Sequence, residues 1–243
     1  MSLKICELEI LFQDEYFVAI NKISGLLVHA TKIDSKEKQF ALQILRDQIG
    51  KRVYPVHRLD KATSGVLLFA KSPVAARAMT DLFTRGQIEK KYLAVVRGFM
   101  SERVELEYPL KEIQDRKTDF KANKTKKAQN AKTNFRLLSQ CELDFSSGVH
   151  PTSRYSLIEA TPQTGRKHQI RRHLKHLSHP IVGDVNYGSG IHNQIFRTKF
   201  NCHRLLLACT SLGFQHPVLD TPVRIQASLD AKFEDLLLQI GLK

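Results

Sequence analysis

Residues 53–71 read VYPVHRLDKATSGVLLFAK. Two apolar stretches, VYPV and VLLFA, enclose a polar loop that holds Asp60 between Arg58 and Lys61. VLLFAK (66–71) is a continuous apolar run bounded by Ser64-Gly65 and Pro73, the pattern of a buried strand. Pro73 stands where a helix can begin, and VAARAMTDLF continues it. Upstream, LEILFQDEYFVAINK carries apolar runs at Leu8–Phe12 and Tyr16–Ile20 with Asp14-Glu15 between them, which predicts two adjacent strands and a turn. Residues 35–49 repeat apolar positions at helical spacing, with Ser35 as the expected N-cap and Gly50 as the stop.

Downstream, KKYLAVVRG (90–98) reads as a strand stopped at Gly98, and RYSLIEATP (154–162) as another. A helix is expected after Gly165, with Ile170, Leu174 and Leu177 on one face and basic residues over most of the rest. LLLACTSLGFQHP and TPVRIQASL add late strands, and ASLDAKFEDLLLQIGLK closes with an amphipathic helix. Strands and helices interleave irregularly with short connections. That favours α+β, with a mixed, mostly antiparallel central sheet and flanking helices, over a doubly wound fold. One domain over residues 1–243 is expected, and no internal repeat is present.

Composition narrows the class. Thirty-eight Lys and Arg against 24 Asp and Glu give a formal +14, a balance that attracts polyanions over long range without saying which. Residues 114–133 concentrate it, with seven basic residues and Phe120 as the one large apolar residue. A flexible basic insertion is expected there, and a solvated surface loop and an RNA-contacting arm fit it equally. No apolar run is long enough to span a bilayer, and the N-terminus lacks a signal-peptide pattern. Cys6, Cys141, Cys202 and Cys209 form no CxxC pair, which argues against a zinc ribbon and fits a reducing, cytoplasmic setting.

Three constellations could carry chemistry. In His57-Arg58-Leu59-Asp60-Lys61-Ala62-Thr63-Ser64-Gly65 the neighbouring cations would keep Asp60 ionised, and Thr63-Ser64-Gly65 can make a tight turn. Spacing alone leaves an ordinary charged turn as the commoner source of such a loop. A kinase catalytic loop also begins HRxD, but it needs Asn five residues after the Asp, and position 65 is Gly. In the second, Tyr92 opens a strand behind Lys90 and Lys91, where positive charge would ease proton exchange; an aromatic at a strand edge is the commoner reading. In the third, Thr164-Gly165-Arg166-Lys167-His168-Gln169-Ile170-Arg171, a helix start bearing Arg166 and Lys167 suits a phosphate. Arg171 lies one turn in and needs an anion, for which Asp60 is a candidate. His168, His173, His176 and His179 scatter around that helix among arginines, a poor metal site.

Together HRLDxxTSG, KKYLAVVRG and the strand before TGRKHQIR, in this order, resemble the three motifs of the RluA family of pseudouridine synthases. DEYFVAINKISGLLVH and HPIVGD (179–184) are similar to that family's usual punctuation, and the resemblance runs from about residue 8 to the C-terminus. It implies the pseudouridine synthase fold and an isomerase that needs no cofactor, metal or ATP. Asp60 then matches the catalytic aspartate, Tyr92 the active-site tyrosine, and Arg171 the arginine that ion-pairs with the aspartate. Arg58 matches the residue that enters the RNA stack when the target base leaves. His57, Lys61, Arg166, Lys167, His168 and Gln169 are expected to face RNA.

The stretch TSRYSLIEATPQTGRKHQIRRHLKHLSHPIVGD is most similar to the branch that modifies uridine 65 of tRNA. The expected partner is therefore a structured RNA, above all tRNA, with no membrane, and the expected state a cytoplasmic monomer. No extra N-terminal RNA-binding (S4) domain is expected, since the first strand starts almost at once. A 23S rRNA pseudouridine synthase and a non-catalytic RNA-binding protein are the alternatives; a full Asp60, Tyr92 and Arg171 set disfavours the second. One departure stands out: Arg204 is followed by LLLAC, with Ala208 where the family commonly has His, a position expected to be structural.

Overall fold

A computed structural model describes residues 7–29, 39–112, 127–148 and 150–242. In chain order its elements are β1 (Ile10–Gln13), β2 (Phe17–Lys22), α1 (Ala41–Ile49), β3 (Tyr54–Pro55), β4 (Ser64–Ala70), α2 (Pro73–Thr84), β5 (Glu89–Arg97), β6 (Arg103–Glu107), β7 (Lys132–Leu143), β8 (Ser153–Pro162), α3 (Gln169–His176), α4 (Gly190–Phe200), β9 (Leu207–Gln215), β10 (Pro222–Gln226) and α5 (Ala231–Gln239). Where one domain is expected over 1–243, the chain gathers into two compact units, each assembled from separated segments. One holds residues up to Glu89 and Cys209–Ser228; the other holds Lys90–Glu112, Lys127–Ala208 and Leu229 onward.

In the first unit the strands run β1-β2-β4-β9, with β3 on β4 and β10 on β9. The ladders β1–β2, β2–β4, β3–β4 and β9–β10 are antiparallel. The β1–β2 turn forms where Asp14 Oδ1 accepts the amides of Tyr16 and Phe17, so a side chain does a backbone's work. Every residue of β4 is buried, as its unbroken apolar run requires. Ser72 caps α2 by accepting the Ala75 amide, with Pro73 in the first turn.

Helix α1 starts later than its local signals suggest. Its first amides, at Ala41 and Leu42, donate to the carbonyls of Leu27 and Val28, so a distant segment supplies the cap. Ser35 lies outside the described residues; Gly50 ends the helix in the left-handed region as expected.

In the second unit the order is β5-β8-β7-β6, and the ladders β5–β8, β7–β8 and β6–β7 are antiparallel. Tyr155 is fully buried there against Phe145, His192 and Phe196. The segment after α3 lies along β5: Arg97 N donates to Pro180 O, and Val182 N to Val95 O. Of the expected loop 114–133, residues 114–126 lie outside the described chain, and the remainder is ordered backbone. Leu110 and Gln129 bridge, Ala131 and Thr133 are fully buried, and β7 already begins at Lys132. The small side chains of Ala131 and Thr133 let the chain pack there despite the surrounding charge.

Candidate active site

The loop carrying Asp60 belongs to the first unit and is clamped from both ends. Asp60 O accepts the Thr63 amide at 3.0 Å, closing a turn, and Asp60 itself is half-buried. Gly65 sits at φ +106°, and a Cβ there would lie 2.0 Å from Cys209 O, so only glycine lets the loop enter β4 beside β9. His57 Nε2 accepts the Leu68 amide at 2.9 Å, and its ring stacks on Phe83 at 4.9 Å. That fixes His57 as a neutral ring held against β4 and α2. Arg58 is exposed and Lys61 half-buried.

Three residues at the end of β2 and just after it hold the same loop. Lys22 is fully buried, and its Nζ donates to the carbonyls of Ile23, Leu26 and Lys61 at 3.0, 2.8 and 3.1 Å. Ser24 Oγ donates to Ala62 O at 2.8 Å, and Gly25 N to Lys61 O at 2.8 Å. The carbonyls just after Asp60 are thus pinned from the motif INKISG, which carried no role in the sequence reading.

Tyr92 and Arg171 belong to the second unit. Tyr92 is half-buried on β5 opposite Ala160 of β8. Behind it Lys91 lies 3.9 Å from Glu159, a carboxylate that also meets Arg136 at 3.2 Å. Arg171, 6 % exposed, meets Asp184 two-pronged: Nε to Oδ2 at 2.7 Å and Nη2 to Oδ1 at 2.8 Å. Its guanidinium also lies 5.1 Å from the centre of the Tyr187 ring. The anion Arg171 meets within its own unit is therefore Asp184, a partner the sequence reading did not name.

Asp184 is built in tightly. Burial works to raise its pKa, but the Arg171 guanidinium and the amides of Tyr187 and Asn186 outweigh it and hold the carboxyl below the usual carboxylate range. Asn193 locks the bend by accepting the Gly183 amide and donating to Asp184 O. Gly183, at φ +81°, approaches Arg204 O so closely that a Cβ would lie 1.9 Å away. The visible signal was HPIVGD, an acid directly after a Gly whose left-handed turn aims it back at α3.

The expected helix start after Gly165 moves to Gln169. His168 adopts the left-handed conformation at φ 56°, and Arg166 and Lys167 lie exposed in the turn before α3. The reason is the Gln169 side chain. Its Oε1 accepts from Thr164 Oγ1 and the Arg166 amide, and its Nε2 donates to Lys132 O and Thr133 Oγ1. These four bonds use the full capacity of the amide and fold the turn against β7. Arg166 Nε donates to Asn130 O at 3.1 Å, and His168 Nδ1 lies 3.0 Å from Tyr187 OH. His173 is buried with Nδ1 on Thr133 Oγ1 and Nε2 on Tyr108 O, and burial lowers its pKa. Ala208, 2 % exposed, occupies a core position.

Residues 16–176 match the model of the RNA pseudouridylate synthase family. The chain is 48% identical over 234 residues to tRNA pseudouridine synthase C of Vibrio cholerae, covering 96% of each chain. It is 47% identical over 235 residues to tRNA pseudouridine synthase C of Haemophilus ducreyi, covering 97% of this chain and 96% of the relative. Among solved structures it is similar to human RNA Pseudouridylate Synthase Domain Containing 4, with TM-score 0.73 and 25% identity over 97% of this chain and 94% of that one. The chain belongs to the RNA pseudouridylate synthase family and has its α+β fold.

Proposed function

We propose that this protein isomerises a uridine of tRNA to pseudouridine, at position 65, as a cytoplasmic monomer. The observation that carries the reading is the similarity along nearly the full length to relatives named tRNA pseudouridine synthase C. The Asp60 loop, held by Lys22, Ser24 and Gly25, supports it with a rigidly backed carboxylate. In the reaction the N1–C1′ bond breaks, the uracil turns, and a C5–C1′ bond forms. The proton leaves C5 and one is gained at N1, so atoms and electrons balance without an oxidant or a second substrate.

In this reading Asp60 acts on the sugar, as nucleophile or as base, and Tyr92 helps remove the C5 proton. Arg171 presents a guanidinium whose orientation is fixed by Asp184. A stacked uridine must leave the helix, which costs a few kcal/mol, and Arg58 entering the vacated space offsets part of that. Arg166 and Lys167 contact phosphates, which supply affinity without sequence information.

The test is incubation with tRNA and 23S rRNA transcripts carrying tritium at uridine C5. Release from tRNA that maps to one position is expected. Release from rRNA alone would move the substrate, and release from neither would overturn the reading.

A further inference from the structure

Tyr108 follows β6 in the second unit; its backbone makes two bonds there, and its ring meets that of His173 edge to face with centroids 6.5 Å apart. Its amide donates to Ala131 O at 3.0 Å, and its carbonyl accepts from His173 Nε2 at 3.1 Å. Any residue could make those bonds. The side chain does something else: 40 % exposed, it lies face to face on the ring of His176, with centroids 3.8 Å apart and planes at 20°. Large aromatic faces left at a surface usually tuck into a groove or pair with an apolar neighbour. Here the neighbour is another polar-edged ring, itself exposed.

Exposed basic residues stand near this stack along the chain, as does the exposed Glu107 beside Tyr108. Asn130 and Ala131 are consecutive; Ala131 O accepts from Tyr108 N and Asn130 O from Arg166 Nε, so one backbone segment ties both residues. Lys175 precedes His176 on α3 and is exposed, with its Nζ 6.0 Å from the centre of the Tyr187 ring. Aromatic faces interleaved with cations are what an unpaired nucleotide needs: the rings take the base and the cations take its phosphates.

We propose that Tyr108 and His176 form a stacking platform for an unpaired base of the RNA substrate, a docking point separate from the isomerised uridine. The proposal rests on the RNA-modifying reading above. The platform contributes to holding the RNA and leaves the chemical step alone.

The chain contains no tryptophan, so Tyr108→Trp introduces a single reporter at the platform. Titration with oligoadenylate is expected to quench its emission, whereas inorganic polyphosphate is not. Equal quenching by both, or by neither, overturns the platform. Steady-state kinetics give a second readout: Tyr108→Leu is expected to raise KM for tRNA about tenfold with kcat kept, and Tyr108→Phe to behave as the parent. A loss of kcat in Tyr108→Leu, or no change in KM, overturns the proposal. Should the parent protein release no tritium from any RNA, the enzymatic reading fails, and quenching alone decides the platform.

Discussion

The guanidinium of Arg171 and the carboxylate of Asp184 face each other through two parallel bonds of 2.7 and 2.8 Å, at side-chain exposures of 7% and 0%. A two-pronged pair this deep fixes the plane of the guanidinium as well as its place. Asp184→Asn removes the charge while keeping the shape, and takes from Arg171 the carboxylate that holds its plane. A loss of about 3–5 kcal/mol is expected in urea unfolding, with activity falling alongside. An unchanged midpoint would make the pair incidental.

The pair also carries a pH dependence. The folded pKa of Asp184 lies below its unfolded value, so its contribution is complete above about pH 4 and fades as pH falls through the folded pKa. His173 acts higher. Burial lowers its pKa, and Nδ1 lies on Thr133 Oγ1, so its contribution is complete above about pH 6.5 and is lost as pH falls through the lowered value. Thermal melts from pH 8 to 5 should show a decline that His173→Gln reduces, with His192, whose pKa burial also lowers, contributing to the remainder. A decline of equal size in that variant would assign it elsewhere.

Much of this was legible in the sequence because periodicity and turn chemistry are local. The buried run of β4, the Ser72-Pro73 start of α2 and the Gly50 stop of α1 all follow from adjacent residues. Several of the failures trace to a partner far along the chain. Helix α1 is capped by Leu27 and Val28 rather than by a neighbouring side chain. Helix α3 begins late because Gln169 reaches back to Thr164 and across to Lys132. Charge hid the start of β7, whose first inward residue, Thr133, is small. At the site, the motifs pointed to Asp60, Tyr92 and Arg171, but no local rule links an Arg to an Asp thirteen residues on.

Lys22 is a second long-range device. Its buried ammonium donates to three carbonyls, and Lys22→Met removes that donor from all of them; Lys61 O keeps the Gly25 amide and Ile23 O the Leu26 amide. Stability is expected to fall by about 1–3 kcal/mol, the cost of a buried acceptor that loses its donor. Differential scanning calorimetry reads this directly, and an unaltered Tm would mean that water replaces the ammonium at no cost.

Phosphate contacts from Arg166 and Lys167 imply counterion release. The logarithm of the tRNA association constant should fall linearly with the logarithm of salt concentration, and Lys167→Ala should reduce the slope by about 1. A flat response would remove the phosphate-contact account.

The carboxylate of residue 60 is the centre of the enzymatic reading, and Asp60→Asn isolates it. Filter binding paired with tritium release on one preparation of tRNA should show near-parental affinity and no pseudouridine. Turnover at a substantial fraction of the parental rate would mean that the chemistry resides on another group.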